Sequence, residues 1–277
     1  MSFEINGREL LRWEEQPGES AVRVPDGVEV IREAAFRGKN TLQSVILPQG
    51  VREIGDAAFD GCSALTEIIL PDSVRSIGIA AFRDCTALKE VRLPPDLKVL
   101  SRQLFCGCRA LSSVLLPEKA EHLLPECLSG CRSLTKIVLP GHLRQMGDHC
   151  FAGCRSLKGI SLPDSVVEME YSSFWGCEQL ENITLSAGLR YIRKYTFHGC
   201  ISLQSVVIPE GVMSIAEGAF QGCVRLKEVR FPEGLEAIGK WAFRNCTSLQ
   251  KPLLPKGLIV LGAKAFAGCE WEDSILQ

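Results

Sequence analysis

Four thiols carry metal-ligand spacing: Cys127, Cys131, Cys150 and Cys154, with His149 beside Cys150. A Cys-x3-Cys pair on one turn can supply two tetrahedral ligands, so two pairs can complete a zinc site. Their wider setting argues for another role. Cys131 and Cys154 belong to a series recurring every 23 residues, at Cys62, Cys85, Cys108, Cys131, Cys154, Cys177, Cys200, Cys223, Cys246 and Cys269. Thiols on such a grid read as a ladder of small buried fillers, each offering a weak donor to a loop carbonyl. Stacked at about 4.8 Å, their Cβ atoms lie beyond the roughly 3.5–4.5 Å that a disulfide prefers. Cys127 and Cys150 replace a core alanine, and only Cys106 is expected at the surface. No metal and no cofactor is therefore expected, with a zinc or redox centre at the four thiols as the alternative.

Other catalytic arrangements are missing from the chain. His122, His142, His149 and His198 occupy unrelated positions and pair with no recurrent Ser or Asp. No Gly-rich phosphate loop, HExxH or nucleophile elbow occurs. Acidic residues after proline, as at Asp26, Asp72, Asp164, Glu210 and Glu233, fit turns. An enzyme is not expected.

The elements that carry these residues follow from the period. Phe36, Phe59, Phe82, Phe105, Phe151, Phe174, Phe197, Phe220, Phe243 and Phe266 share the 23-residue grid, and Leu128 fills its one gap. Proline keeps the same beat from Pro25 to Pro255, with Ser186 as the exception. An uninterrupted period of this length is the signature of a solenoid whose repeats bury apolar faces only against neighbours. In residues 58–80 the stretch Leu65, Ile68 and Leu70 alternates as a short strand, which proline ends by lacking a ladder donor. Val74 and Ile77 point inward next. Ala58, Phe59, Gly61 and Cys62 read as one helical turn with glycine at its C-cap. The expected fold is an α/β repeat solenoid: a right-handed superhelix with one parallel β-sheet on the concave side and short helical turns opposite.

This phrase resembles the bacterial BspA-like leucine-rich repeats, whose pattern is C-x-x-L-x-x-I-x-L-P-x-x-L-x-x-I-G-x-x-A-F-x-x. The resemblance implies an N-terminal cap over residues 1–21, eleven repeats over 22–269, and a polar half-repeat over 270–277. It also implies protein binding or adhesion at a cell surface, without catalytic residues. The cysteine content and the lack of a signal-peptide pattern at the start point instead to the cytoplasm.

Charge is nearly balanced, with 31 basic and 33 acidic residues and a formal net charge of −2. That balance gives no drive toward nucleic acid or an anionic membrane, and no apolar run is long enough to span one. A monomer with an unidentified protein partner is expected.

Exposed columns carry the functional question. Along the strand face run Ile46, Ile69, Arg92, Leu115, Val138, Ser161, Thr184, Val207, Arg230 and Leu253. So apolar an outward stripe suits a protein partner, although β-branched residues also pair well across parallel strands. Arg109, Arg132 and Arg155 form an anion-binding candidate with Lys136 and Lys158 nearby, unless acidic neighbours such as Glu118 and Glu121 neutralise it. Tyr171, Trp175, Tyr195 and His198 form an outward aromatic patch of the kind enriched in binding hot spots, or a cover for a neighbouring backbone edge. A passive spacer is the remaining alternative.

Three departures from the repeat are expected to matter. Ala120, Pro125 and Leu128 should make the coil at 118–128 pack less well. Pro252 should cost a ladder bond. Glu272 stands where a leucine is due, in a capping end.

Overall fold

Alternation in L-x-x-V-x-L becomes a series of three-residue strands, from Ala21–Arg23 through Ser44–Ile46 and Glu67–Ile69 to Glu228–Arg230. A computed structural model describes residues 2–271. The middle residue of each such strand faces the core and its two neighbours face out, as period two requires. Pairing is parallel and in strict register, for example Ile46 opposite Ile69 and Arg92 opposite Leu115.

The V-x-x-I-G segment also forms strands, each two residues long, from Val30–Ile31 to Val260–Leu261. These pair in parallel among themselves in sheets separate from the first series. The single sheet expected is therefore corrected to two parallel ladders per stack. Two residues are too few to display alternation in the sequence, and the inward Ile of each pair already satisfied the simpler reading.

No helix occurs among the described residues, so the expected helical turns and the α/β class give way to an all-β solenoid. Two features of the A-F-x-G-C segment prevent a helix. The residue two before each of the ten grid phenylalanines and before Leu128 has a left-handed φ, between +51° and +61°, at all eleven positions from Ala34 to Lys264, and only Gly218 among them is glycine. Alternate amides are also committed to the next coil: Ala57, Phe59 and Gly61 donate to the carbonyls of Ile79, Ala81 and Arg83. The turns thus make a third inter-coil ladder.

Within the stack, phenylalanine rings lie face to face with centroids 4.8–5.6 Å apart. A tryptophan terminates the column at each end: Trp13 meets Phe36 at 5.8 Å and Trp271 meets Phe266 at 5.0 Å. Trp13 comes from a hairpin, β1 (Ser2–Asn6) antiparallel to β2 (Glu9–Glu14), and β2 pairs in parallel with β4 (Val30–Ile31), which follows β3 (Ala21–Arg23). The expected polar end from Glu272 onward lies outside the described residues.

Of the expected irregularities, the one at Pro252 is present and the one around Pro125 is not. Around Pro125 the coil is well packed, with Ala120, Leu123, Cys127 and Leu128 fully buried and His122–Leu123 paired on both sides. One segment later, Lys136–Val138 forms no strand. Lys251–Leu253, which contains Pro252, forms none either. Between Glu67–Ile77 and Glu90–Leu100 both strand ladders are interrupted, leaving the turn ladder, with Ala80, Phe82 and Asp84 donating to Arg102, Leu104 and Cys106.

The second-ladder breaks fall at Ser101 and Arg193, at a position that is glycine in five coils, Gly55, Gly78, Gly147, Gly239 and Gly262. Coils approach closely at that glycine: a Cβ on Gly78 would lie 2.5 Å from the Asp56 nitrogen and 2.6 Å from the Gly55 carbonyl carbon. Leu124, Glu170 and Ala216 keep their ladders at the same position, so a side chain there loosens the joint without always breaking it.

Ser186 replaces the recurrent proline and is fully buried. Its hydroxyl donates to the Val166 carbonyl at 2.6 Å and accepts from the Gly188 amide at 3.0 Å, holding the turn by hydrogen bonds.

Candidate functional site

Every residue of the outward strand column is exposed: Ile46, Ile69, Arg92, Leu115, Val138, Ser161, Thr184, Val207, Arg230 and Leu253. Exposure reaches 58% at Ile69, 61% at Leu115 and 83% at Val138. Strand register places Ile46 beside Ile69, Arg92 beside Leu115, Ser161 beside Thr184 and Val207 beside Arg230, and the 23-residue period sets the other members at equivalent positions of their coils. The two arginines are held by neighbours, Arg92 near Asp72 at 3.4 Å and Arg230 on Glu228 at 2.7 Å. Between Val138 and Val207 the small residues Gly159 and Ser161, with Asn182 and Thr184, floor an open groove.

The aromatic residues do come together, with a different exposure from that expected. Tyr171 and Trp175 are exposed, whereas Tyr195 and His198 are half-buried, a correction to their outward placement. Tyr195 lies across Gly218 of the next coil, where a Cβ would stand 2.4 Å from its ring, and its hydroxyl reaches Glu217 at 3.4 Å. His198 packs edge-on to Tyr195 at 5.9 Å and beside Trp175 at 6.2 Å, and His149 meets the other side of Trp175 at 6.1 Å. Burial pulls the His198 imidazole below the ordinary histidine value. Tyr171 joins a second group that the sequence did not announce, in which Arg193 lies over Tyr171 and Tyr191 at 5.9 and 5.3 Å.

Arg109, Arg132 and Arg155 are exposed in successive coils. Each follows a buried cysteine, and backbone bonds from Ser133, Ser156 and Gln179 to their carbonyls join the coils there. Arg155 pairs with Glu178 at 3.2 Å. Glu121 pairs with Lys98 instead of the arginine row.

All thirteen cysteines are free, and each of the ten grid thiols donates to the carbonyl of the Phe-position residue one coil back, from Cys62 to Phe36 at 3.0 Å through Cys269 to Phe243 at 3.5 Å. Burial pushes Cys62 and Cys154 up to about 12 and raises Cys127 and Cys150 as well, which disfavours the thiolate that a metal needs. Cys106 is half-buried, less open than its column suggested. Among the described residues no three His, Cys, Asp or Glu side chains gather as a metal site.

Comparisons with known proteins agree with this architecture. The family model for the BspA type leucine rich repeat region (6 copies) matches residues 19–133, 54–180, 123–250 and 167–276. No curated protein matches the chain. Among solved structures, it is similar to a leucine-rich repeat protein from Bacteroides ovatus ATCC 8483, with 27% identity and a TM-score of 0.62 over 97% of this chain and 91% of that one. It is also similar to the pneumococcal vaccine antigen PcpA, with 18% identity and a TM-score of 0.63 over 96% and 76%. A leucine-rich repeat protein from Eubacterium ventriosum ATCC 27560 gives 18% identity and 0.55 over 94% and 88%. At 18% identity the last two bear on the fold alone.

Proposed function

The chain belongs to the BspA-type leucine-rich repeat family, and from that premise we propose a non-enzymatic scaffold, acting as a monomer, that binds a protein partner through the outward face of its three-residue strands. One observation carries this reading: Ile69, Leu115, Val138 and Val207 stand 58–83% exposed at one equivalent position of the 23-residue repeat. Apolar side chains held at that exposure on a rigid backbone favour contact with another apolar surface. Adhesion at a cell surface is the setting this reading favours, by family membership. No helix of the described residues is long and apolar enough to cross a membrane.

Two rivals have less support. A zinc or redox centre asks for thiolates at Cys127, Cys131, Cys150 and Cys154, where burial favours the neutral thiol. A passive spacer accounts for β-branched Ile69 and Val207 by cross-strand pairing, but not for Leu115, nor for Val138, which lies in no strand.

Quantitative pull-down with the wild type, Ile69→Glu and Val138→Glu tests the proposal, with thermal melts showing that both variants fold. Both side chains already face solvent, so folding should persist while the captured partner is lost. Full retention by both variants overturns the strand face as the binding surface.

A further inference from the structure

We infer that the coils carrying Arg109, Arg132 and Arg155 form a cationic edge beside the strand column, shaped for an acidic segment of a protein partner that also carries apolar side chains. This rests on the proposed protein-binding role and names the partner's chemistry at one place along the stack.

Position comes first. Arg109, Arg132 and Arg155 occupy one column in three successive coils, while the same column holds Asn40, Ser63 and Thr86 before them and Glu178, Ile201 and Val224 after. Like charges at coil spacing of about 4.8 Å repel, by roughly 1 kcal/mol per neighbouring pair in water at that distance. Nothing in the repeat's packing calls for arginine, since the buried cysteine before each one supplies the core contact. Among the described residues, only Arg155 of the three has an ion-pair partner, Glu178. Lys136 and Lys158, exposed in the same coils, add to the charge.

Apolar neighbours narrow the partner's class. Val138 lies six residues after Arg132 in the same coil and is 83% exposed, and Leu115 lies six after Arg109 at 61%. A sulfated polysaccharide would satisfy the arginines and leave these side chains in water. An acidic protein segment answers both, with carboxylates bidentate on guanidinium groups and apolar side chains on Leu115 and Val138. Here too the strand ladder lapses, at Lys136–Val138.

Fluorescence anisotropy on the intact protein tests this with three probes: a labelled 20-residue peptide alternating Glu and Leu, its Lys-for-Glu counterpart, and heparin. The acidic peptide should bind, weaken at least tenfold between 50 and 500 mM NaCl, and weaken at least tenfold again in the Arg109→Glu, Arg132→Glu double variant. Val138→Ser should weaken it several-fold and leave the salt slope unchanged. The basic peptide should bind at least tenfold more weakly than the acidic one. Heparin binding without acidic-peptide binding overturns the inference in favour of a polysaccharide. Indifference to charge reversal, or to Val138→Ser, also overturns it. Ile69 lies outside this edge, so the Ile69→Glu pull-down judges the strand face separately: capture lost there with peptide binding insensitive to the arginines sinks this inference alone.

Discussion

The Cys62 thiol donates to the Phe36 carbonyl of the preceding coil at 3.0 Å. Repeated to Cys269, this bond ties side-chain chemistry to the phenylalanine column, because the acceptor is the backbone of the stacked residue itself. Replacing Cys154 by Ala removes one of two donors to the Leu128 carbonyl, which keeps the Cys131 amide, and opens a small void. A loss of about 1–2 kcal/mol is expected in urea unfolding. An unchanged midpoint would show that the thiol is filler only.

Alkaline stability should report the same ladder. Burial raises Cys62 and Cys154 from 9.0 to about 12, and raises Cys131, Cys177 and Cys223 too. The unfolded chain ionises first, so the stabilisation is fully present below pH 9 and is lost as pH rises from there toward 12. Each Cys→Ala change should flatten the decline by up to about 1.4 kcal/mol per pH unit within that window. Unfolding curves at several alkaline pH values check the slope. A thiol reagent should label Cys106 first, since it alone is only half-buried.

Leu128 interrupts the ring stack between Phe105 and Phe151. Leu128→Phe alone should destabilise by about 1–3 kcal/mol through overpacking, because Leu104 and Cys127 stand where most coils carry alanine. Combined with Cys127→Ala the cost should shrink, with a coupling of about 0.5 kcal/mol or more. Strict additivity in the double-mutant cycle refutes the volume argument.

Two glycines make a matched pair. Gly78→Ala drives a Cβ to 2.5 Å from backbone of the neighbouring coil, whereas Gly141→Ala meets nothing within 4 Å. The first should lower stability by about 1–3 kcal/mol, and the second should be neutral or gain up to about 1 kcal/mol. Equal melting temperatures for the two variants would contradict the close approach.

Much of the core was legible because Phe, Leu, Val and Cys each return to one inward position. Ile68 and Ile69 show the alternation of the first ladder directly. Ser76 and Ile77 show none, since a two-residue strand has no period, and the second ladder went unread. The turn at Ala58, Phe59, Gly61 and Cys62 looked helical because its glycine reads as a C-cap, and only the backbone reveals that the preceding Ala57 sits at φ +51°. Half-burial of Tyr195 depends on Gly218 in the next coil, a relation that column reading within one repeat does not reach. Trp13 stands one 23-residue step before Phe36, a signal that went unread because tryptophan replaces the phenylalanine there, whereas Trp271 lies off the period and its place at the end of the ring column became visible only once the stack was assembled.

Bonds between coils run along the long direction of the stack, so a pull from its two ends loads every joint in series and the weakest one yields first. The joint between Glu67–Ile77 and Glu90–Leu100 lacks both strand ladders and depends on turn amides, ring stacking, the Cys108 thiol, the Ser101 hydroxyl on the Ile77 carbonyl and the surface ion pairs Arg75–Asp96 and Arg92–Asp72. It is a mechanical fuse: under tension the chain should part there into two still-folded segments before either unravels, and stretching single molecules should show that rupture as the first step.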